Sequence, residues 1–201
     1  MSFVVYSKEW VIADKTAIEA GYVNDPDDSG GATNFGITEA VAIANKKLWS
    51  RHGFNGDMKL MPKSLAIDIY ATCYWDKMRL TDIHTRLPML ADKLFDFGIN
   101  AGTAAAGKAL QRLLNVSNMK GTHFKDLVVD GGIGNNTIIA LDAYIAQRGN
   151  KGLKVLLTGL LCMQGSHYVL SAENKEKNES FYFGWMSHRV YDDMMEYTAK
   201  L

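Results

Sequence analysis

The sequence has no excess of charge of either sign, only two cysteines and no histidines at metal-ligand spacing. Lysine plus arginine and aspartate plus glutamate both number 22, so the formal net charge is zero. Because a neutral chain has no long-range field that attracts nucleic acid or an anionic membrane, we expect neither as a partner. Cys73 and Cys162 form no CxxC motif and are interpreted as small core residues in a reduced compartment. The five histidines show no metal-ligand spacing, which argues against a zinc hydrolase.

Long hydrophobic runs are rare as well. The N-terminal stretch MSFVVYSKEW lacks the basic start and the long apolar core of a secretory signal. The most apolar window, residues 153–170, is barely long enough to span a bilayer and contains Lys154, Gln164 and His167. We interpret this window as a buried core helix and expect no insertion into a membrane.

Strand patterns are almost absent, whereas apolar residues recur at helical spacing along most of the chain. A first helix is expected from about Ser7 to Glu19, ended by Gly21. Residues 22–36 are rich in turn-forming residues, which favours a small β-hairpin or an irregular loop. Further helices are predicted to begin at Thr38, Ser64, Pro88 and Thr103, and to cover about 137–147, 153–171 and 181–191. The fold class predicted is mainly α, a helical bundle.

Four carboxylates lie within ten residues at the end of the first predicted helix: Glu19, Asp25, Asp27 and Asp28. The helix macrodipole disfavours a negative charge at the position of Glu19, and the neighbouring aspartates disfavour it further. The aromatic ring of Tyr22 can exclude water from one side. Each effect favours the protonated form of Glu19 near neutral pH, and a carboxyl that keeps its proton can act as a general acid.

Cleavage of a glycosidic bond requires a second carboxylate that stays ionised. Asp28, which precedes the backbone N–H groups of residues 29–31, is one candidate for this role, and Asp25 is the other. The hydroxyl group of Thr33 can position a water molecule. The same composition is also typical of an ordinary surface turn, because Asn24 and the Asp25–Pro26 pair often bond their own backbone.

The string EAGYVNDPDDSGGATNFGIT, residues 19–38, resembles the signature of the glycoside hydrolase family 108 muramidases. These lysozymes cut the glycan strand of bacterial peptidoglycan, often as phage endolysins. The resemblance implies a lysozyme-like helical bundle and makes Glu19 the catalytic acid. Two positions depart from the family pattern: Ala20 replaces the first glycine of E-G-G-Y, and Ala32 replaces a frequent glutamate.

Aromatic residues follow downstream in YATCYWD, residues 70–76, which is similar to the Tyr-x-x-x-Tyr-Trp segment of that family. Flat aromatic faces pack on pyranose rings, although packing within one helix face explains the same residues. LFDFGINAG, residues 94–102, also resembles a family segment, in which Asn100 either bonds substrate or ends a helix. The substrate-binding residues expected are Tyr22, Asn24, Tyr70, Tyr74, Trp75 and Asn100.

The C-terminal half resembles the predicted peptidoglycan-binding region that accompanies the family, through LQRLLN, VDGGIGNNT and FYFGWMSHR. A turn at Asp130 followed by a helix cap at Thr137 explains part of this pattern structurally. We expect residues 1–100 to form a catalytic muramidase region. Residues 101–201 are expected to form the helical wall-binding region, packed with the first as one compact unit because no linker is visible.

The resemblance implies a peptidoglycan hydrolase that cleaves the β-1,4 bond between N-acetylmuramic acid and N-acetylglucosamine. It implies no cofactor, a monomer, and a protein held in the host cytoplasm until it is released to the periplasm and cell wall. Two alternatives stay open. A lytic transglycosylase uses the same acid, with a hydroxyl of the sugar in place of water, and a non-catalytic wall-binding or secretion-related protein would carry the motif as a relic.

Overall fold

The structure is a computed structural model that describes residues 6–18, 21–24 and 31–200. The chain divides into two compact units, Met1–Lys77 and Met78–Leu201. In the described residues, helices predominate and a small antiparallel sheet has the strand order β1-β2-β3. The predicted mainly α fold, with a small β element near residues 22–36, is therefore confirmed. A functional boundary near residue 100, and the packing of both halves as one unit, stay predictions.

The first unit combines helices with the sheet. Its helices are α1 (Lys8–Ile18), α2 (Glu39–Ala44) and α3 (Lys63–Tyr70), and α3 continues as a π-helix over Ala71–Asp76. The strands are β1 (Tyr22–Val23), β2 (Thr33–Asn34) and β3 (Ile37–Thr38). Short 3-10 helices cover Lys46–Leu48, Ser50–His52 and Met58–Leu60. Helix α1 packs against α3.

Of two helix starts predicted in the first unit from capping residues, one agrees with the structure and the other does not. Thr38 caps α2 as predicted, because its hydroxyl accepts a hydrogen bond from the N–H of Val41. Helix α3 begins instead after Pro62, which occupies the cap position. Ser64 therefore lies inside the first turn, where its hydroxyl is 2.9 Å from Nδ1 of His52.

The second unit is a set of packed helices. They are α4 (Leu80–His84), α5 (Pro88–Ala101), α6 (Thr103–Ser117), α7 (Asn135–Asn174), α8 (Glu179–Met186) and α9 (Asp192–Lys200). A 3-10 turn covers Glu176–Asn178, and a π-helix covers Ser187–Tyr191. Helices α5, α6 and α7 pack against one another, and α8 packs on α7.

Helix α7 covers the two helices that the sequence pattern separates. The helical geometry is broken at Gly149, with φ 55° and ψ −153°, a conformation that favours glycine. By length and composition alone this helix could cross a membrane, which is weak grounds for a span. Leu156, Leu160 and Tyr168 are buried on it, as expected for a core helix.

The two cysteines occupy different environments. Cys73 is half-buried, and its thiol donates to the side-chain oxygen of Asn45 over 3.1 Å. Cys162 is exposed. The interpretation of both as core residues is therefore wrong for Cys162, because this position of α7 faces outward.

A buried ion cluster joins the helices of the second unit. The ammonium group of Lys93 is fully buried and bonds the carboxylates of Asp96 and Asp193 and, over 2.6 Å, the backbone oxygen of Arg189. Asp96 also accepts hydrogen bonds from the Arg189 guanidinium over 2.7 Å and from the Gln164 amide over 2.9 Å. One cluster thus connects α5 with α7 and with the C-terminal helices.

We expect Lys93→Ala to destabilise the second unit by about 3–5 kcal/mol, because it leaves buried carboxylates without their cation. Urea denaturation followed by circular dichroism measures the loss. Lys200→Ala is the control, since it removes an exposed pair with Glu196 in α9 and should cost about 1 kcal/mol or less. Equal losses in the two variants would contradict the role assigned to the cluster.

Candidate functional site

The structure describes residues that flank the predicted catalytic carboxylates, but it does not describe the carboxylates themselves. Glu19, Asp25 and Asp28 lie outside the described residues. Helix α1 ends at Ile18, and the chain is described again from Gly21, which has a positive φ of 134°. Residues 25–30, which include Asp25 and Asp28, are called the carboxylate segment. The structure defines the frame of this segment, that is, the residues on both sides of it.

The small sheet forms this frame. Tyr22 pairs with Asn34 and Val23 with Thr33, so the residues on either side of the carboxylate segment are neighbours in space. The Thr33 hydroxyl donates to the backbone oxygen of Gly31 over 3.4 Å. Of the residues predicted to act at the site, the sheet brings together Tyr22 and Thr33, and exposed Asn24 follows β1 directly.

A lysine that the sequence analysis missed lies beside this sheet. The ammonium group of Lys59 is 5.4 Å from the centre of the Tyr22 ring, within the range of a cation–π contact. Lys59 belongs to a 3-10 helix whose Met58 backbone oxygen accepts a 2.7 Å hydrogen bond from the Asn34 side chain. No sequence pattern links residues 22, 34 and 59, so only the folded chain identifies this contact.

The turn between β2 and β3 is anchored by an aromatic hydroxyl group. Phe35 and Gly36 form the turn with φ values of 51° and 70°. The hydroxyl of Tyr70 donates to the backbone oxygen of Phe35 over 2.7 Å. Tyr70 thereby fixes the position of the hairpin that frames the carboxylate segment, which is a structural role.

Two predicted sugar contacts need correction. Tyr70 and Trp75 are both 0% exposed, so neither ring presents a face on which a pyranose can pack. Tyr70 is the last residue of α3 and Trp75 lies in the π-helix that follows, and both side chains are part of the core. Tyr74 is half-buried, 5.8 Å from the Tyr70 ring centre, and its pKa is raised by burial and by the neighbouring Cys73. Of the three aromatic residues, Tyr74 keeps some exposed surface.

Asn100 lies in the second unit, in the last turn of α5. Its side-chain amide donates to the backbone oxygen of Asp96 over 3.3 Å, one turn earlier in the same helix. This bond uses the amide for helix-end packing, the alternative that the sequence also offered. Among the residues that the structure describes, no three His, Cys, Asp or Glu side chains are grouped so that they could hold a metal ion.

In the second unit, buried Gln111 explains the paired LQRLLN and VDGGIG motifs. Its amide nitrogen donates to the Asp130 carboxylate over 2.8 Å and to the Gly132 oxygen over 2.9 Å, and its oxygen accepts from the Gly131 N–H over 2.8 Å. The bond from Gln111, together with one from the Gly132 N–H, lowers the pKa of Asp130. One side chain of α6 therefore fixes the whole glycine turn.

Two glycines allow this turn to touch α6. A Cβ atom on Gly107 would lie 2.0 Å from the backbone oxygen of Gly131. Gly131 itself has φ +86°, and a Cβ there would lie 2.6 Å from the backbone oxygen of Ala104. One turn beyond Gln111, the Asn115 side chain bonds both the N–H and the oxygen of Leu127, over 2.8 and 2.9 Å. The loop before α7 is thus held against α6 by backbone contact and by amide side chains.

The FYFGWMSHR segment packs within the second unit. The Trp185 ring stacks on Phe181 at 5.8 Å and 22°, and lies 5.3 Å from Tyr168. Arg189 bonds the buried Asp96 carboxylate. The two residues therefore have separate partners, and the structural interpretation of this motif accounts for both.

A helical body with a small antiparallel sheet after its first helix defines a lysozyme-like protein. Residues 13–102 match the family model of Glycosyl hydrolase 108, and residues 105–190 match that of the Predicted Peptidoglycan domain. The first region is thus similar to the glycosyl hydrolase 108 family and the second to the predicted peptidoglycan domain family. The two matches together support a glycoside hydrolase that acts on peptidoglycan.

A solved structure is similar to the chain over almost its full length. The chain is similar to the structure of Brucella abortus SagA, with a TM-score of 0.64 and 26% sequence identity. The similarity covers 96% of this chain and 94% of that chain. No curated protein matches the sequence.

We expect Gly107→Ala to destabilise the second unit by about 1–3 kcal/mol or more, because the added methyl group meets rigid backbone. Thermal unfolding measures the change. Gly184→Ala is the matched control: it lies in helix α8, and a Cβ there has nothing within 4 Å among the described residues. This control should be neutral or gain up to about 1 kcal/mol. Gly107→Ala unfolding like the parent would refute the close contact.

Proposed function

We propose that the protein is an N-acetylmuramidase, a lysozyme that uses Glu19 as its general acid. One observation carries the proposal: the glycosyl hydrolase 108 match over residues 13–102 spans Glu19 and the carboxylate segment. In the family pattern that this string resembles, the catalytic acid is the glutamate at that position. The bond cleaved is the β-1,4 linkage from N-acetylmuramic acid to N-acetylglucosamine.

In the proposed reaction, protonated Glu19 gives its proton to the oxygen of the glycosidic bond. The bond from that oxygen to C1 of the muramic acid breaks, and positive charge develops on the sugar ring. Asp28, or alternatively Asp25, stabilises this charge or takes a proton from the water that attacks C1. Water supplies the new hydroxyl group at C1, so both products carry free hydroxyls and no cofactor takes part.

The described frame supports this assignment of roles. The pairing of Val23 with Thr33 means that the segment carrying Asp25 and Asp28 starts and ends at one short sheet. The Thr33 hydroxyl lies at that sheet, where it can orient a water molecule. Exposed Asn24, Tyr22 and the open part of Tyr74 are the substrate contacts that we retain in the proposal.

Substitution of Glu19 tests the proposal directly. Glu19→Gln should lower the rate of clearing of purified peptidoglycan by about 10²–10⁴-fold, the usual contribution of a general acid. Glu9→Gln is the control, since Glu9 is an exposed glutamate in helix α1 and its loss should leave the rate unchanged. If Glu19→Gln clears walls as fast as the parent protein, Glu19 is not the acid.

Mass spectrometry of the released fragments tests the reaction type in the same experiment. Hydrolysis leaves reducing muramic acid ends, whereas a lytic transglycosylase leaves 1,6-anhydro ends that are lighter by one water molecule. Anhydro products would show that the protein is a lytic transglycosylase and not a muramidase. A parent protein without clearing activity would favour a wall-binding or secretion-related function.

We further propose an endolysin role in host cell lysis, in which the protein stays in the host cytoplasm until it reaches the periplasm and wall. This proposal depends on the resemblance to phage endolysins. The protein expressed in bacteria should cause lysis only after the inner membrane is permeabilised, as followed by culture turbidity. Lysis before permeabilisation would contradict it, and the Glu19→Gln variant is the control for wall cleavage.

A further inference from the structure

A groove of about 400 Å³ lies between α6 and α7 in the second unit. Phe97 of α5 forms its base, and small or apolar side chains such as Ala105, Ala109 and Leu170 line it. The volume falls within the range of small-ligand sites. Apart from Phe97, the lining lies within residues 105–190, the part that matches the predicted peptidoglycan domain.

Two cations stand on the α6 side of this groove. Lys108 and Arg112 are exposed and four residues apart, so they share one face of the helix. Within the described part of the chain, neither forms an ion pair, and Lys108 acts only at a distance by lowering the pKa of Asp130. Like charges at this spacing destabilise a helix, and an anionic ligand between them would relieve the repulsion.

Neutral hydrogen-bonding groups stand on the α7 side. The ring of His167 is half-buried and meets Phe97 edge-on at 5.8 Å between ring centres. Burial lowers the pKa of His167, so the ring is neutral at pH 7 and has one N–H to donate. Among the described residues, the ring nitrogens of His167 and the exposed Ser166 hydroxyl have no hydrogen-bond partner.

The geometry points to a site for a carboxylate, and we propose that this groove binds the free D-alanine carboxylate at the end of a peptidoglycan stem peptide. The planar guanidinium group of Arg112 and the ammonium group of Lys108 suit a carboxylate. The methyl-sized surfaces of Ala105 and Ala109 suit the alanine side chain beside it. The identity of the ligand rests on the proposed function, whereas the anion site rests on the groove alone.

Calorimetric titration with the tripeptide diacetyl-L-Lys-D-Ala-D-Ala tests the proposal, with the same peptide amidated at its C-terminus as the comparison. The free carboxylate form should bind, and amidation should weaken binding by about 10- to 100-fold, as expected for lost charge-assisted hydrogen bonds. The double variant Lys108→Gln/Arg112→Gln should weaken binding of the free form equally. Equal affinities for the two peptides, or an unaffected double variant, would overturn the proposal.

Matched variants separate this site from the catalytic one. Lys151→Gln/Lys175→Gln removes two exposed positive charges from the same unit and should bind the tripeptide like the parent. Glu19→Gln should also keep full affinity while wall clearing is lost, so failure of the acid assignment and failure of the groove assignment give different results. If glycerol phosphate binds and the tripeptide does not, the groove serves a phosphate-bearing wall polymer, and the stem-peptide proposal is wrong.

Discussion

The packing of the second unit depends on one buried ammonium group, that of Lys93. A buried cation is tolerated only when anions and hydrogen-bond acceptors surround it, so the helices that carry Asp96, Asp193 and the Arg189 oxygen must meet at one point. Gln164 of α7 bonds the same Asp96 carboxylate. The cluster therefore sets the register of α5 against α7.

That register has a direct consequence for the surface. Phe97 follows Asp96 on α5, and His167 lies one helical turn after Gln164 on α7. When Asp96 and Gln164 are bonded, Phe97 and His167 face each other, and their rings meet at 5.8 Å. The base of the groove between α6 and α7 therefore lies directly beside the buried ion cluster.

Irregular segments in both units are held by side chains that bond the backbone. In the first unit, Tyr70 bonds the Phe35 oxygen and Asn34 bonds the Met58 oxygen. In the second unit, Gln111 and Asn115 bond the loop that precedes α7. A loop has few backbone partners of its own, so these bonds satisfy groups that would otherwise need water. They also explain why motifs that look functional in the sequence are partly structural.

Apolar periodicity predicts most of the helices, because each buries one face, but it misses α4 and α9. The turn-forming residues, and not the periodicity, indicate the small sheet. The apolar pattern also separates two helices around residue 149, and the helical geometry of α7 is broken there at Gly149. It could not predict that Trp75 is buried whereas Tyr74 is only half-buried, because a π-helix changes which face each residue occupies. The contact of Lys59 with Tyr22 joins residues far apart in sequence, and no local pattern encodes it.

The zero net charge hides a division of charge between the two units. The first unit carries Glu19, Asp25, Asp27 and Asp28 within ten residues, whereas the groove of the second is bordered by Lys108 and Arg112. Peptidoglycan is a glycan with carboxylate-bearing peptides, and the acidic segment does not attract these carboxylates. The groove proposed for the stem-peptide carboxylate supplies that attraction through Lys108 and Arg112. Because a nearby cation favours the ionised form of a carboxyl group, an acid that must keep its proton is best separated from the cations that hold the substrate.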